Sequence, residues 1–306
     1  MRYTKPPLTF EQQVCLLCKR GMVGDTEQMQ QHLSTVSYYR LSGYWHPFRA
    51  HDDSFKPGTT FEEVWKRYTF DRQLRLLVMD AIESIEVAVR SELAHHHAIA
   101  HGAFAYADDP LSLPKLAPLQ RVEFLERVAD ETQRSKEAFV QHFTAKYGDC
   151  HMHLPVWMIV EVMTFGTLLT FFRGSSHYVK QAVASKFGVP AKVFGSWLLT
   201  LNMVRNICAH HGRLWNRELG LKPLIPRREG YPEWYQPVRV QNNRLFCVLM
   251  ICQYSLCKLN LLNNWLSRLD SLLQQHPDIP RASMGFPDDW RSSPIWKDLK
   301  GLKFDA

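Results

Sequence analysis

Residues 61–97 carry an unbroken helical pattern, and no other feature limits the fold as much. Leu74, Leu77, Val78, Ala81, Ile82, Ile85, Ala88 and Val89 recur at spacings of three and four. At 100° per residue they gather into one stripe about 140° wide. So long a one-sided helix is stable only when other elements cover that stripe. No stretch alternates apolar and polar residues with the period of a strand, and no internal repeat or low-complexity tract is present. The covering elements must then be helices, and the expected class is all-α. With 306 residues, 45% hydrophobic and 22% charged, the chain is long and apolar enough for one large core or two modest ones.

Helix signals punctuate the rest of the chain. Thr9 and Gln12 stand at capping-box spacing ahead of Phe10, Val14 and Leu17, with Gly21 placed to stop that helix, and Asp25 is placed to cap a second one toward Leu33. Residues 103–118, with Pro110, Pro114 and Pro118, read as a loop. A charged helical segment is expected over 119–147, one apolar helix over 156–172, and a short helix over 177–187. A helix over 191–211 should bury Phe194, Trp197, Leu198, Leu201, Val204 and Cys208 and end with Gly212 in the left-handed conformation. A proline-rich crossing, 223–237, then leads to a helix over 240–272 and an irregular basic tail. The expected division is an N-terminal helical region (1–60), a helical domain (61–275) and the tail (276–306).

The 37 Lys and Arg exceed the 30 Asp and Glu by seven, which suits a polyanionic partner or a membrane surface without requiring either. Seven cysteines show no framework spacing, and residues 1–7 lack the apolar run of a secretory signal, so reduced thiols and a cytoplasmic location are expected. Residues 155–172 are nearly long enough to span a bilayer, but Glu161 sits near their middle and no basic cluster flanks them. A buried helix, not a membrane span, is the expectation. Cys15 and Cys18 form a CxxC without a second pair, and the clusters His95-His96-His97 and Cys150-His151-Met152-His153 lack a recognisable ligand spacing. Neither a metal nor another cofactor is expected.

Chemistry concentrates at 205–217, "RNICAHHGRLWNR". On a helical wheel Asn202, Asn206 and His210 share a face, Arg205 lies between that face and the apolar stripe, and His211 falls on the opposite flank. A guanidinium holds phosphate by its planar fork, and an imidazole moves protons near neutral pH. RNA supplies its own nucleophile, the 2′-hydroxyl, so these groups suffice for cleavage without a metal. A structural reading competes, because basic residues in a last turn suit the helix dipole and can pair with Glu83 or Glu86. Residue types alone leave both open.

The segment Arg205-Asn206-Ile207-Cys208-Ala209-His210 fits the R-polar-x3-H form of the Rx4–6H motif and resembles HEPN-superfamily ribonucleases. More widely, "KPPLTFEQQVCLLCKRGM", "YYRLSGYWHPFR", "FDRQLRLLVMDAIESIEVAVRSEL", "RSKEAFVQHF", "PVWMIVEVMTFGTL" and "VRNICAHHGRLWNR", in that order, resemble Abi-like (abortive infection, AbiD/AbiF type) proteins over most of residues 5–217. The resemblance implies a HEPN-type helical bundle with an additional N-terminal helical region and a C-terminal helical extension. It implies an anti-phage, toxin-like endoribonuclease that needs no metal and is regulated by a structured small non-coding RNA. By the same resemblance Arg205 would stabilise the scissile phosphate, His210 would transfer protons and Asn206 would orient one of them, with His211 the competing histidine. Sites of this type join two motifs across a pseudo-twofold axis, and this sequence holds one, so a homodimer is expected. Two other readings remain: a non-catalytic RNA-binding scaffold and a protein-binding sensor of infection.

Three further groups complete the candidates. Glu83, Glu86 and Arg90 form a polar stripe beside the apolar one, with Glu86 and Arg90 at pairing distance, and either decorate the surface or position Arg205. Arg213, Trp215 and Arg217 follow the helix stop and either dock the exit loop or hold RNA. Around 34–49, Tyr39, Arg40, Tyr44 and Arg49 interleave aromatic and cationic groups as RNA-binding surfaces do, although a folded core explains them equally well.

Overall fold

The computed structural model describes residue 2 and residues 6–261 and 264–296. It contains two compact units, one formed by Arg75 and the residues before it together with Asp270–Pro280, the other by Leu76–Leu269 and the residues from Arg281 on. No strand occurs among the described residues, which hold only isolated bridges, and the all-α class stands.

The first unit holds α1 (Phe10–Lys19), α2 (Thr26–Val36), α3 (Tyr38–Trp45) and the start of α4 (Phe61–His101). Thr9 and Gln12 make both bonds of the capping box, Gly21 turns the chain at φ 94°, and Asp25 accepts the Gln28 N–H at 2.8 Å. The caps therefore act where the sequence places them. Ser37, at φ 73°, separates α2 from α3. In the core the Tyr44 hydroxyl donates to Asp71 at 2.6 Å, and Arg75 pairs with the same carboxylate oxygen at 2.5 Å. Burial, then the Asp71 charge, pushes the Tyr44 phenol well above its usual range.

The second unit continues α4 and adds α5 (Ala105–Asp108), α6 (Pro118–Arg134), α7 (Ala138–Tyr147), α8 (Val156–Val162), α9 (Phe165–Gly174), α10 (His177–Lys186), α11 (Ala191–Ala209), α12 (Leu245–Lys258) and the start of α13 (Trp265–Gln275). Within this unit Leu77, Val78, Ala81, Ile82, Ile85 and Val89 of the α4 stripe are buried. α11 packs on α9, α10 and α12 and buries all six residues expected of it.

Three expected helices are each divided in two, for identifiable reasons. The 119–147 segment breaks at 135–137, between α6 and α7. The apolar 156–172 segment breaks after Val162, because Thr164 leaves the helix to cap α9, its hydroxyl accepting the Thr167 N–H at 3.3 Å. Glu131 completes that cap by accepting from the Thr164 N–H and the Thr167 hydroxyl. No helix among the described residues is long and apolar enough to cross a membrane. The 240–272 segment becomes α12 and α13, and the 103–118 loop contains the short α5. Beyond residue 280, Met284, Phe286, Trp290 and Trp296 are buried, with Phe286 and Trp296 against Phe246. From residue 276 the five Lys and Arg are balanced by five Asp. Residues 281–296 thus help build a core, and the stretch from 276 carries no net basic charge.

Candidate functional site

The polar end of α11 is fixed from behind by its apolar stripe and from one side by the proline-rich crossing. Trp197 donates its indole N–H to the Leu224 carbonyl at 2.8 Å, and the Ser196 hydroxyl accepts the Leu224 N–H at 2.9 Å. Thr200 reaches the Leu221 carbonyl at 3.3 Å. These bonds hold Leu221 as one wall of an open groove of about 550 Å³, whose other lining residues include Asn202, Asn206, His210 and Arg217. Leu199, Met203 and Ile207 supply its apolar floor. They recur every four residues beside the polar line 202, 206, 210, the spacing that would have revealed them in the sequence.

Arg205 opens elsewhere. It lines a smaller pocket of about 270 Å³ with Glu83, Glu86, Met79, Ile82 and Val87 of α4. Five residues along a helix turn it about 140° away from His210. Asn206, about 40° from His210, shares the histidine's groove. Among the described residues Arg205 is in no salt bridge. Glu86 is committed to Arg90, which also donates to the Val160 carbonyl, one of those left without a helical partner where α8 stops. The structure therefore brings Glu83 and Glu86 to Arg205, while Arg90 holds Glu86 and braces α8.

The helix ends in a Schellman arrangement, with the Gly212 N–H on the Ile207 carbonyl at 2.7 Å and the His211 N–H on Cys208 at 2.9 Å. The left-handed residue is His211, at φ 56°, and not Gly212 as the sequence suggested. Gly212 relieves crowding at the turn: a Cβ there would stand 3.2 Å from the Ile207 carbonyl oxygen. His210, the last residue before the reversal, is exposed.

A family model described as Abi-like protein matches residues 31–216. The chain belongs to the Abi-like family. The matched span of this Abi-like protein includes α4, α11 and the Schellman turn, so both depressions lie largely within it. Family membership points to abortive infection as the biological setting. No curated protein and no solved structure matched the chain.

Two of the Abi-like protein's expected RNA-contacting residues are core residues instead. Tyr44 is 1% exposed, locked by Asp71 and Arg75, and Trp215 is 1% exposed beside the buried Leu214. Neither ring offers a face for a base to stack on, and Trp215 docks the exit loop. Arg217 stays at the groove, its Nε donating to the Arg213 carbonyl at 2.7 Å, and Arg213 is half-buried. In the first unit Tyr39 is 89% exposed and Arg40 is exposed, while Arg49 pairs with Asp53.

Proposed function

We propose that this chain is an abortive-infection endoribonuclease of the HEPN type, acting in the cytoplasm as a homodimer and regulated by a structured small non-coding RNA. One observation carries the reading: the end of α11 offers a guanidinium in no salt bridge among the described residues and an exposed imidazole five residues on, each in its own depression. Residues 205–244 add eight Lys and Arg against three Asp and Glu, a local field that draws a polyanion.

In the proposed reaction the 2′-hydroxyl attacks the adjacent phosphorus, and His210 takes its proton. Arg205 balances the charge gathering on the phosphorane oxygens, Asn206 orients the imidazole or the phosphate, and the 5′-oxygen leaves as it takes a proton from solvent water. The products are a 2′,3′-cyclic phosphate and a 5′-hydroxyl, and no step needs a metal. Because Arg205 and His210 point about 140° apart on one helix, the site is completed by a twofold axis that sets Arg205 of one copy against the His210 groove of the other. Val87, 58% exposed at the rim of the Arg205 pocket, suits coverage by that second copy.

The same separation favours one rival, an RNA-binding scaffold in which the two depressions grip phosphates without cutting. Labelled RNA incubated with the protein in EDTA and run on a denaturing gel distinguishes them. Fragments ending in cyclic phosphate support the nuclease, and intact RNA that shifts on a native gel supports the scaffold. Undiminished cleavage by a folded Arg205→Ala/His210→Ala variant would sink the assignment of these residues.

A further inference from the structure

We propose that Lys115, Arg173 and Lys180 form a second phosphate-binding site for the RNA backbone at the C-terminal end of α9; this rests on the RNA-directed reading above. Three separate segments bring the cations together. Arg173 is the next-to-last residue of α9, and Lys180 of α10 donates its ammonium to the Arg173 carbonyl at 3.3 Å. Lys115 comes from the strap before α6, where its main-chain N–H donates to the Gly174 carbonyl at 3.0 Å. Leu116 beside it packs so closely that a Cβ on Gly174 would stand 2.7 Å from its Cγ. The absence of a side chain at 174 thus sets the strap, and Lys115 with it, against the end of α9.

Lys115 and Arg173 are exposed and Lys180 is half-buried. Among the described residues none of the three is in a salt bridge. Burial, then the nearby charges of Lys115 and Arg173, pulls the Lys180 pKa down, so the cluster repels itself. The helix end explains one of these cations but not three. The C-terminus of α9 carries about half a negative charge, and the Lys180 bond to a terminal carbonyl already answers it. The two remaining charges fit an anion with several oxygens, such as a phosphodiester.

The site is distinct from the α11 groove. α9 and α11 run antiparallel, with Phe172 against Phe194 at 5.8 Å between ring centroids, and Gly166 near Asn202. Sixteen residues of α11 separate Phe194 from His210, roughly 24 Å at 1.5 Å per residue. A ligand that touches both is a polymer and not a mononucleotide.

The test is the salt dependence of binding to a labelled single-stranded RNA of about 30 nucleotides, titrated between about 50 and 300 mM NaCl. In Lys115→Gln/Arg173→Gln/Lys180→Gln the slope of log Kd against log salt should fall by about 1.4, and Kd near 0.15 M should weaken roughly 15-fold, on the basis of about 0.7 for each of the two lost phosphate contacts. The melting temperature should hold or rise, since the repulsion is gone. If the triple variant does not fold, Lys115→Gln/Arg173→Gln keeps the Lys180 main-chain bond and should lower the slope by about 1.4. An unchanged slope in a folded variant that still binds RNA overturns this site and leaves the proposed function standing. Wild-type protein that binds no RNA overturns both. Displacement of the RNA from these residues by 5′-AMP at micromolar concentration overturns the backbone assignment in favour of a nucleotide site.

Discussion

The two flanks of α11 are built on different terms. On the Arg205 flank, charge is arranged in advance: Glu86 and Arg90 pair with side chains only 14% and 11% exposed, Arg90 is anchored on the Val160 carbonyl, and Glu83 stands at the rim. On the His210 flank no salt bridge is found among the described residues. Its polar residues line an open groove over an apolar floor of Leu199, Met203 and Ile207. A guanidinium in preset surroundings suits a constant task, the holding of phosphate charge. In the proposed reaction the exposed His210 imidazole would take its orientation from the bound substrate.

The largest expected effect separates the flanks directly. Arg205→Ala and His210→Ala should each slow RNA cleavage by about 10²- to 10⁴-fold with unchanged melting temperatures. Mixed in equal amounts and allowed to exchange subunits, the two inactive proteins should regain about a quarter of wild-type activity. Half the dimers are then mixed, and each mixed dimer keeps one intact Arg205–His210 site. No recovery despite demonstrated subunit exchange would place both groups in one copy and remove the reason for the dimer.

Breaking the scaffold on the arginine flank comes next. Arg90→Met leaves the Glu86 carboxylate unpaired in a mostly buried position and the Val160 carbonyl without its donor. That should cost about 3–5 kcal/mol, read as a lower denaturation midpoint in urea. Glu83→Gln, on the exposed side of the same pocket, should leave stability nearly unchanged and act on cleavage alone. Equal losses of stability from both would mean that the flank is one structural cluster with no special relation to Arg205.

Acid tests the comparison in another way, because one buried histidine imitates a catalytic one. His97 on α4 is fully buried against Phe171 and His101, and burial, then the His101 charge, pushes its pKa down from 6.5 to about 4. The unfolded chain gains that proton below about pH 6.5 and the folded chain does not until about pH 4. Stability is therefore whole above pH 6.5 and is lost as pH falls toward 4, by up to about 3 kcal/mol. His97→Leu should flatten this limb of the stability curve. An acid limb in cleavage that survives in His97→Leu belongs to the groove, whereas one that vanishes with His97 was unfolding.

Much of this arrangement is legible in the sequence because periodicity and caps are local. The α4 stripe, the Thr9 and Asp25 caps and the buried face of α11 need only nearest neighbours along a helix. What escaped was decided by distant contacts. Thr164 ends an apolar run because Glu131, 33 residues earlier, helps satisfy the new helix start. Tyr44 reads equally well as an RNA-facing aromatic or a core residue until Asp71 and Arg75 are folded against it. At the site, the wheel placed Asn206 with His210 and put Arg205 between that face and the apolar stripe. It could not show that the intervening angle opens onto two depressions, since the walls come from α4 and from the crossing at Leu221.

The smallest effect decides which imidazole belongs to the chemistry. His211 holds the left-handed position of the Schellman turn at φ 56°, where a β-branched side chain is strained and asparagine is tolerated. His211→Val should therefore cost about 1–2 kcal/mol, while His211→Asn should melt within a few degrees of wild type. The asparagine variant keeps the turn, keeps His210 at the groove and removes the second ring. If His210 carries the proton, His211→Asn should cleave RNA at close to the wild-type rate. If cleavage falls by about a hundredfold or more in a variant with an intact melting transition, the proton carrier is the residue in the turn, and the groove lined by Asn206 and His210 serves to bind.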